Sequence, residues 1–370
     1  MSSTKTGDAA STVLIIGASG IVGTSAVEAF LAQGWNVVAL SRRPPEIRSP
    51  RAFRHVVVDL MDEKACRDAA AGLRDVTHVV YAALFEKPGL VAGWQEADQM
   101  ETNLRMIRNI LGPLSEGGGL RHVSLLQGTK AYGIHLHAMP IPARESLPRD
   151  DHPNFYWLQE DHLVEAAKAG NFSYTIFRPS ITIGGGYGVP MSLAAALGAY
   201  IAIHRERGEP CGFPGGASFV WEASDARLVA KALAWAATSP AAAGETFNVT
   251  NGDVFEWRNI WPAMVRTVGA EPGPDKPVMI AQWMLNNEAV WDRLVERHKL
   301  RKLTLKQVLG DSHHYAEFCM NSGRDRPPPP AFMSTVKIRK AGFHEVQDTE
   351  EMFVHWLRDL GARFVLPAAP

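Results

Sequence analysis

Tyr156 and Lys130 are the residues whose types could do chemistry in this chain. A phenol hydroxyl stabilises negative charge on a carbonyl oxygen, and a nearby ammonium lowers the phenol pKa and can bind a ribose. Such pairs usually read Tyr-x-x-x-Lys on one helix. Here the residue four beyond Tyr156 is Glu160, so the lysine must come from elsewhere. Lys130, in Leu125-Leu126-Gln127-Gly128-Thr129-Lys130-Ala131-Tyr132, is the candidate, with Tyr132 in reserve as a polar substrate contact. Taken singly, a lysine is most often a surface residue and a tyrosine at a helix start most often packs in the core.

A second constellation binds rather than reacts. Gly17-Ala18-Ser19-Gly20-Ile21-Val22-Gly23 directly follows an apolar run and opens a helical pattern. Glycines at this spacing allow a tight turn and let the backbone approach a pyrophosphate, which the helix N-terminus then holds. The second strand ends in Ser41-Arg42-Arg43, where an NAD site normally has an acid for the ribose 2′-hydroxyl. Two arginines instead predict pairing with a 2′-phosphate and hence NADP(H). Asp59-Leu60 follows the third strand; the acid suits either the adenine amino group or the cap of the next helix.

Metal chemistry has weak support. His135/His137 and His313-His314 are paired, but no carboxylate or cysteine stands at a supporting spacing, and no metal is expected. Glu160 and Asp161 read as favourable to the dipole of a helix starting near Gln159. Trp257, Trp261, Trp283 and Trp291 read as core, with an aromatic wall for a flat apolar substrate as the functional alternative. Met191 and Met284 could adapt to the same substrate.

The elements that must position these residues follow from patterning. Apolar runs at Thr12–Ile16, Asn36–Leu40, His55–Val58, His78–Ala82, His122–Leu126, Tyr174–Phe177 and Thr246–Val249 alternate with helical spacing at Val22–Gln33, Glu63–Gly72, Glu96–Leu114 and Gln159–Ala169. Strands too apolar to own a wet face predict a doubly wound parallel α/β sheet. The glycines at 184–188 mark a loop, Ser192–Arg207 a helix, and Trp257–Tyr315 a helical region ended by Pro327–Pro330. A short strand at Ser334–Ile338 and a helix at Thr349–Leu360 complete the reading. The expected division is a flexible tail (1–11), an NADP-binding Rossmann unit (12–182 and 216–254) and a smaller, mainly helical substrate-side unit (183–215 and 255–367).

Composition fits a globular enzyme. Among 370 residues, 38 basic and 39 acidic side chains leave a net charge of -1, which argues against a nucleic-acid binder. Three widely spaced cysteines suggest neither disulfide scaffold nor zinc framework and fit a reducing cytoplasm. The apolar stretch Leu193–Ile203 is about half the length of a membrane span, and the polar N-terminus does not read as a signal peptide.

Two segments, His122–Tyr132 and Asn154-Phe155-Tyr156-Trp157-Leu158-Gln159-Glu160-Asp161, resemble the signatures of the progesterone 5β-reductase and iridoid synthase-like reductases, extended short-chain enzymes whose lysine is displaced to a strand-end loop. Arg178-Pro179, Ser224-Asp225 and Asn251-Gly252-Asp253-Val254-Phe255-Glu256-Trp257 fit as well, and the resemblance spans about residues 12 to 367. It implies Lys130 and Tyr156 as the catalytic pair, and Arg42 and Arg43 on the 2′-phosphate. Asp59 and Leu60 would lie at the adenine, and Ser19, Ala82, Ala83 and Gln127 along the cofactor. Pro179 to Ile181 would lie near the nicotinamide. The implied reaction is 1,4-reduction of an enone: hydride reaches the β-carbon while Tyr156 stabilises the enolate oxygen. The implied partner is a small apolar carbonyl compound. By analogy with extended members, which are often dimers, a homodimer is the assembly to test for.

The chain departs from that family after the lysine, reading Ala131-Tyr132-Gly133-Ile134-His135-Leu136, and has Leu84 where many relatives have tryptophan. A remodelled pocket of Leu84, Tyr132, His135, Leu136 and Met191 is therefore expected. Three competing readings use much of the same sequence: 1,2-reduction of a ketone or aldehyde, nucleotide-sugar epimerisation or dehydration, and an idle NADP sensor. The missing Tyr-x-x-x-Lys counts against the epimerase, and retention of Lys130 and Tyr156 against the sensor.

Overall fold

The computed structural model describes residues 11–368; the expected tail, apart from Ser11, lies outside the described residues. Strands β1 (Thr12–Ile16), β2 (Asn36–Leu40), β3 (Arg54–Val56), β4 (His78–Tyr81), β5 (His122–Leu126) and β6 (Ser173–Pro179) lie in one sheet. Two short pairs follow: β7 (Ile181–Ile183) with β9 (Ala223–Asp225), and β8 (Val220–Trp221) with β11 (Phe255–Glu256). Strand β10 (Glu245–Val249) completes the seven-stranded sheet, whose order is β10-β6-β5-β4-β1-β2-β3 with every pair parallel. All of β1 and β4 is buried, because helices cover both faces.

Helices α1 (Ile21–Ala32), α2 (Glu63–Ala71), α3 (Ala97–Glu116), α4 (Phe155–Gly170), α5 (Leu193–Arg207) and α6 (Ala226–Ala236) come next in chain order. Val27, Phe30 and Leu31 of α1 pack with Val229 and Leu233 of α6 on one face of the sheet. Cys66, Ile107, Ile110, Leu163 and Ala167 from α2, α3 and α4 fill the other. Winding runs outward from β1 to β3 and, in the opposite direction, from β4 to β10. The reversal leaves a crevice beyond the carboxyl ends of β1 and β4, the place where doubly wound sheets bind ligands.

The third core surrounds α5, which is apolar and enclosed from Leu193 to Ile203 and charged only in its last turn. Around it stand α7 (Trp257–Thr267), α8 (Ile280–Leu285), α9 (Glu288–Arg297), α10 (Leu305–Leu309) and α11 (Ser312–Cys319). Helix α12 is Val336–Lys340, and α13 (Thr349–Ala362) packs back against α5 and α7. The expected strand at Ser334–Ile338 is therefore corrected to a helix. A strand would bury Val336 with Ile338, but Val336 is 52% exposed, and Ile338 packs with Phe343 on the sheet side. Lys337 Nζ donates to the Thr246 carbonyl at 2.9 Å, where a neighbouring strand would otherwise pair with β10. The signature residues near β10 are fasteners: Asn251 receives the Asp225 N–H and donates to Thr349 Oγ1, and Asp253 accepts from Thr349 N and Oγ1.

Candidate active site

One cavity of about 370 Å³ runs from the glycine turn to the helices around α5, within the size range of small-molecule sites. Its cofactor end is built by strand termini. Gly17 leaves β1 at φ +84°, donating its N–H to Leu40 O at 2.9 Å. A Cβ there would lie 2.7 Å from Ala83 N and 2.8 Å from Ala82 O, and one on Gly23 would lie 2.1 Å from Gly17 O. Only glycine fits this turn, and Gly23 serves as packing beneath the cavity wall. Among the described residues no side chain caps α1, and its first-turn N–H groups face the crevice with no acidic residue in that turn. Ser41 Oγ donates to Arg43 O at 2.6 Å, shaping the turn that carries Arg42 and Arg43 to the exposed rim.

Asp59 and Leu60 line the same end. Asp62, not Asp59, caps α2 by accepting from Ala65 N, so the capping alternative for Asp59 is removed. Asp59 Oδ1 accepts from Met61 N at 3.0 Å. The remaining expected cofactor residues, Ser19, Gly20, Ile21, Ala82, Ala83, Gln127, Pro179 and Ile181, also line the cavity. The close glycine–alanine packing, the uncapped helix end and the basic rim fit a dinucleotide.

The structure brings Lys130 and Tyr156 together in the middle of the cavity. Lys130 sits in the single turn Thr129–Tyr132 after β5, and Tyr156 in the first turn of α4. Asn154 joins them: its Oδ1 accepts from Tyr156 N at 3.0 Å while its Nδ2 donates to Lys130 O at 3.1 Å. Lys130 Nζ stands 5.8 Å from the Tyr156 ring centre. A Cβ on Gly128 would approach Tyr156 Oη to 3.2 Å, so the hydroxyl lies over the glycine backbone. Burial, followed by the Glu86 carboxylate, pushes the Tyr156 phenol well above its ordinary range. Tyr156 is thereby a protonated donor rather than a phenolate.

Glu86 was invisible to sequence patterning, because a single acid after an apolar strand carries no periodic signal. Its side chain is fully buried, and its Oε1 accepts from Lys130 Nζ at 3.3 Å. Burial holds Lys130 below the ordinary lysine range, and Glu86 opposes that shift.

The apolar end differs from expectation at three of five positions. Leu84 and Met191 line it; Tyr132, His135 and Leu136 do not. Gly133, at φ +71°, ends the Lys130 turn and swings only Ile134 into the cavity. Leu136 is 41% exposed. His135 packs edge-on to His152, and burial lowers its pKa to about 4. Tyr132 donates to Asn248 Oδ1 at 2.6 Å behind the site. The aromatic wall comes from Trp94, Trp221, Phe155, Tyr315 and Phe318, and the tryptophan segment takes its core reading rather than the alternative one. Trp257 and Trp291 are core, and Met284 is fully buried.

Glu160 also has a different task. Because Asn154 caps α4, the helix starts at Phe155 and Glu160 lies beyond its first turn. Its carboxylate accepts from Gln127 Nε2 at 2.8 Å and Arg149 at 2.9 Å, while Arg178 Nε donates to Gln127 Oε1 at 2.8 Å. Asp161 pairs with Arg149 at 2.6 Å. Among the described residues, no group of three or more His, Cys, Asp or Glu side chains could hold a metal ion, and no helix is long and apolar enough to cross a membrane.

A doubly wound sheet with this glycine turn, and a lysine and tyrosine farther along one crevice, defines a nicotinamide-dinucleotide enzyme of the extended short-chain type. The NAD dependent epimerase/dehydratase family matches residues 13–250. The chain is 32% identical over 318 residues to the 3-oxo-Delta(4,5)-steroid 5-beta-reductase of Arabidopsis thaliana, covering 80% of each. It is 29% identical over 380 residues to an (S)-8-oxocitronellyl enol synthase of Nepeta racemosa, covering 96% of this chain and 93% of that one. A UDP-glucose 4-epimerase from Thermotoga maritima shares the fold, with a TM-score of 0.66 at 16% identity over 94% of this chain and 99% of that one. The chain belongs to the NAD dependent epimerase/dehydratase family and, within it, to the progesterone 5β-reductase and iridoid synthase-like reductases.

Proposed function

We propose that the protein uses NADPH to reduce the C=C bond of small, apolar α,β-unsaturated carbonyl compounds. The observation that carries this reading is one continuous cavity, with a dinucleotide cradle at one end, an aromatic wall at the other, and Lys130 and Tyr156 between them. Arg42 and Arg43 at the rim support the 2′-phosphate-bearing cofactor, since they replace the acid that would repel it. When bound, that cofactor supplies a hydride to the β-carbon. Tyr156 donates a hydrogen bond to the carbonyl oxygen and stabilises the enolate as its charge grows. Lys130 supplies positive charge beside the same centre. Water provides the proton that completes the α-carbon. The wall of Trp94, Trp221, Tyr315 and Phe318 excludes bulk water and favours a flat, uncharged substrate.

Three free, buried cysteines support a reducing, cytoplasmic location. The separate core around α5 supports a substrate-side unit beside the cofactor unit, with Ile338 and Phe343 packing on the sheet side instead.

The test is NADPH oxidation on cyclic enones, a steroid enone and an open-chain enal, each beside its saturated counterpart, with products identified. Saturated carbonyl products from the unsaturated members are expected; alcohols from the saturated members would move the protein to 1,2-carbonyl reduction. Tyr156→Phe is expected to lower kcat by roughly 10²–10³-fold, the usual cost of losing one oxyanion donor, with NADPH affinity nearly unchanged. Full turnover by this variant would overturn the assignment.

A further inference from the structure

Glu86 lies in the loop after β4 and Lys130 in the turn after β5, and these strands are register neighbours with Tyr81 opposite Leu125. The topology thus delivers a carboxylate and an ammonium to the same side of the crevice. Glu86 is clamped. Its Oε2 accepts from Trp94 Nε1 at 3.1 Å and from Gln99 Nε2 at 2.7 Å. Gln99 is itself held, its Oε1 accepting from Lys87 N at 3.0 Å. Both donors therefore occupy one oxygen and aim the other at Lys130 Nζ, 3.3 Å away. The ammonium also lies 4.5 Å over the Trp94 ring, so one indole orients both members of the pair.

We propose that Glu86 is a positioning residue of the reductase site, holding Lys130 in place beside Tyr156 and keeping it protonated through the working pH range. The inference rests on the roles given above to Lys130 and Tyr156. Burial of an ammonium in an apolar cavity favours loss of its proton, and a fixed carboxylate at hydrogen-bond distance opposes that loss. The other titratable groups facing the pair do not supply this charge. Tyr156 and Tyr315 are phenols raised by burial, and His135, lowered to about 4, is neutral near pH 7. Arg178, which also acts on Tyr156, carries positive charge. Among these described residues, Glu86 supplies the negative charge.

The test follows the Lys130 Nζ resonance of the full-length protein, labelled with ¹⁵N-lysine and assigned by its loss in Lys130→Arg. In Glu86→Gln the titration midpoint is expected to fall by at least one pH unit, a tenfold loss of proton affinity, and the alkaline limb of kcat/KM to fall with it. Glu86→Asp, which keeps the charge but withdraws it by one methylene, is expected to lie between the two. Because it retains a buried carboxylate, it also serves if the glutamine variant does not fold. An unchanged midpoint in the glutamine variant overturns the proposal, as does an unchanged midpoint in the aspartate variant if only that one folds. The titration is read without turnover. A shifted midpoint together with full activity in Tyr156→Phe would support the Glu86–Lys130 coupling and overturn the function assigned to the site.

Discussion

At the scale of single residues, side chains with an obligatory local geometry were legible in the sequence. Gly17 and Gly23 have backbone or close-packing demands that no other residue meets, so their spacing announces the turn. Arg42 and Arg43 are informative because an acid is absent where one is expected. Removing both as Arg42→Ala/Arg43→Ala should raise the KM for NADPH at least tenfold and leave that for NADH within a few-fold, since a charge-assisted bond contributes about 1.5–3 kcal/mol. Steady-state kinetics with both cofactors checks this. An equal loss with NADH would show that the rim is not a 2′-phosphate site. Tyr132, His135 and Leu136 illustrate the opposite case. They are neighbours of Lys130 in sequence, but the left-handed Gly133 turns the backbone and only Ile134 keeps a place in the cavity.

At the scale of elements, the start of α4 matters most. Asn154 spends its carbonyl oxygen on the helix cap and its amide on Lys130 O, so one side chain ties the turn of Lys130 to the helix start that carries Tyr156. Asn154→Ala should cost about 1 kcal/mol of stability, as lost caps do, and should lower kcat more than that loss explains. Asn154→Asp should restore the stability but not the turnover, because it retains the cap acceptor and lacks the amide donor. Thermal unfolding measured beside turnover separates the two effects. The same cap explains why a helix expected at Gln159 begins at Phe155. Helix α12 shows the converse: a β-branched run adopts helix because the edge of β10 is met by the Lys337 ammonium instead of a partner strand.

At the scale of the whole molecule, buried histidines shape the response to acid. Burial pushes His78, His122 and His204 down to about 4 from the ordinary 6.5. A group with a depressed folded pKa contributes stability above its unfolded pKa and loses it as pH falls toward the folded value. The protein should therefore lose stability between about pH 6.5 and 4, by up to roughly 3 kcal/mol per histidine. His204 is a direct probe: its ring stacks on Trp283 at 4.8 Å, among the described residues neither ring nitrogen has a hydrogen-bond partner, and the Glu209 carboxylate 3.8 Å from Nδ1 opposes the shift without cancelling it. His204→Phe keeps the stack and removes the titration, so its Tm should fall less than that of the natural protein from pH 7 to pH 4.5. Parallel pH dependence in the two proteins would remove His204 from this account.

Through the resemblance of two segments the sequence pointed to Tyr156 and Lys130; by itself, its patterning determined the doubly wound sheet, the glycine turn and the basic rim. These depend on strand apolarity, backbone conformation and charge type, which are local properties and leave local patterns. Only the tertiary structure decided which side chains share the cavity. Glu86, Trp94 and Tyr315 reach it from a loop, a short 3-10 helix (Leu90–Gln95) and a distant helix, and nothing in their own neighbourhoods marks them. Their proximity to Lys130 and Tyr156 follows from strand order and the packing of α11 against α5 and α8, relations between segments far apart in the chain. The same holds for Tyr132, whose hydroxyl is claimed by Asn248 at the end of another strand before a substrate could use it.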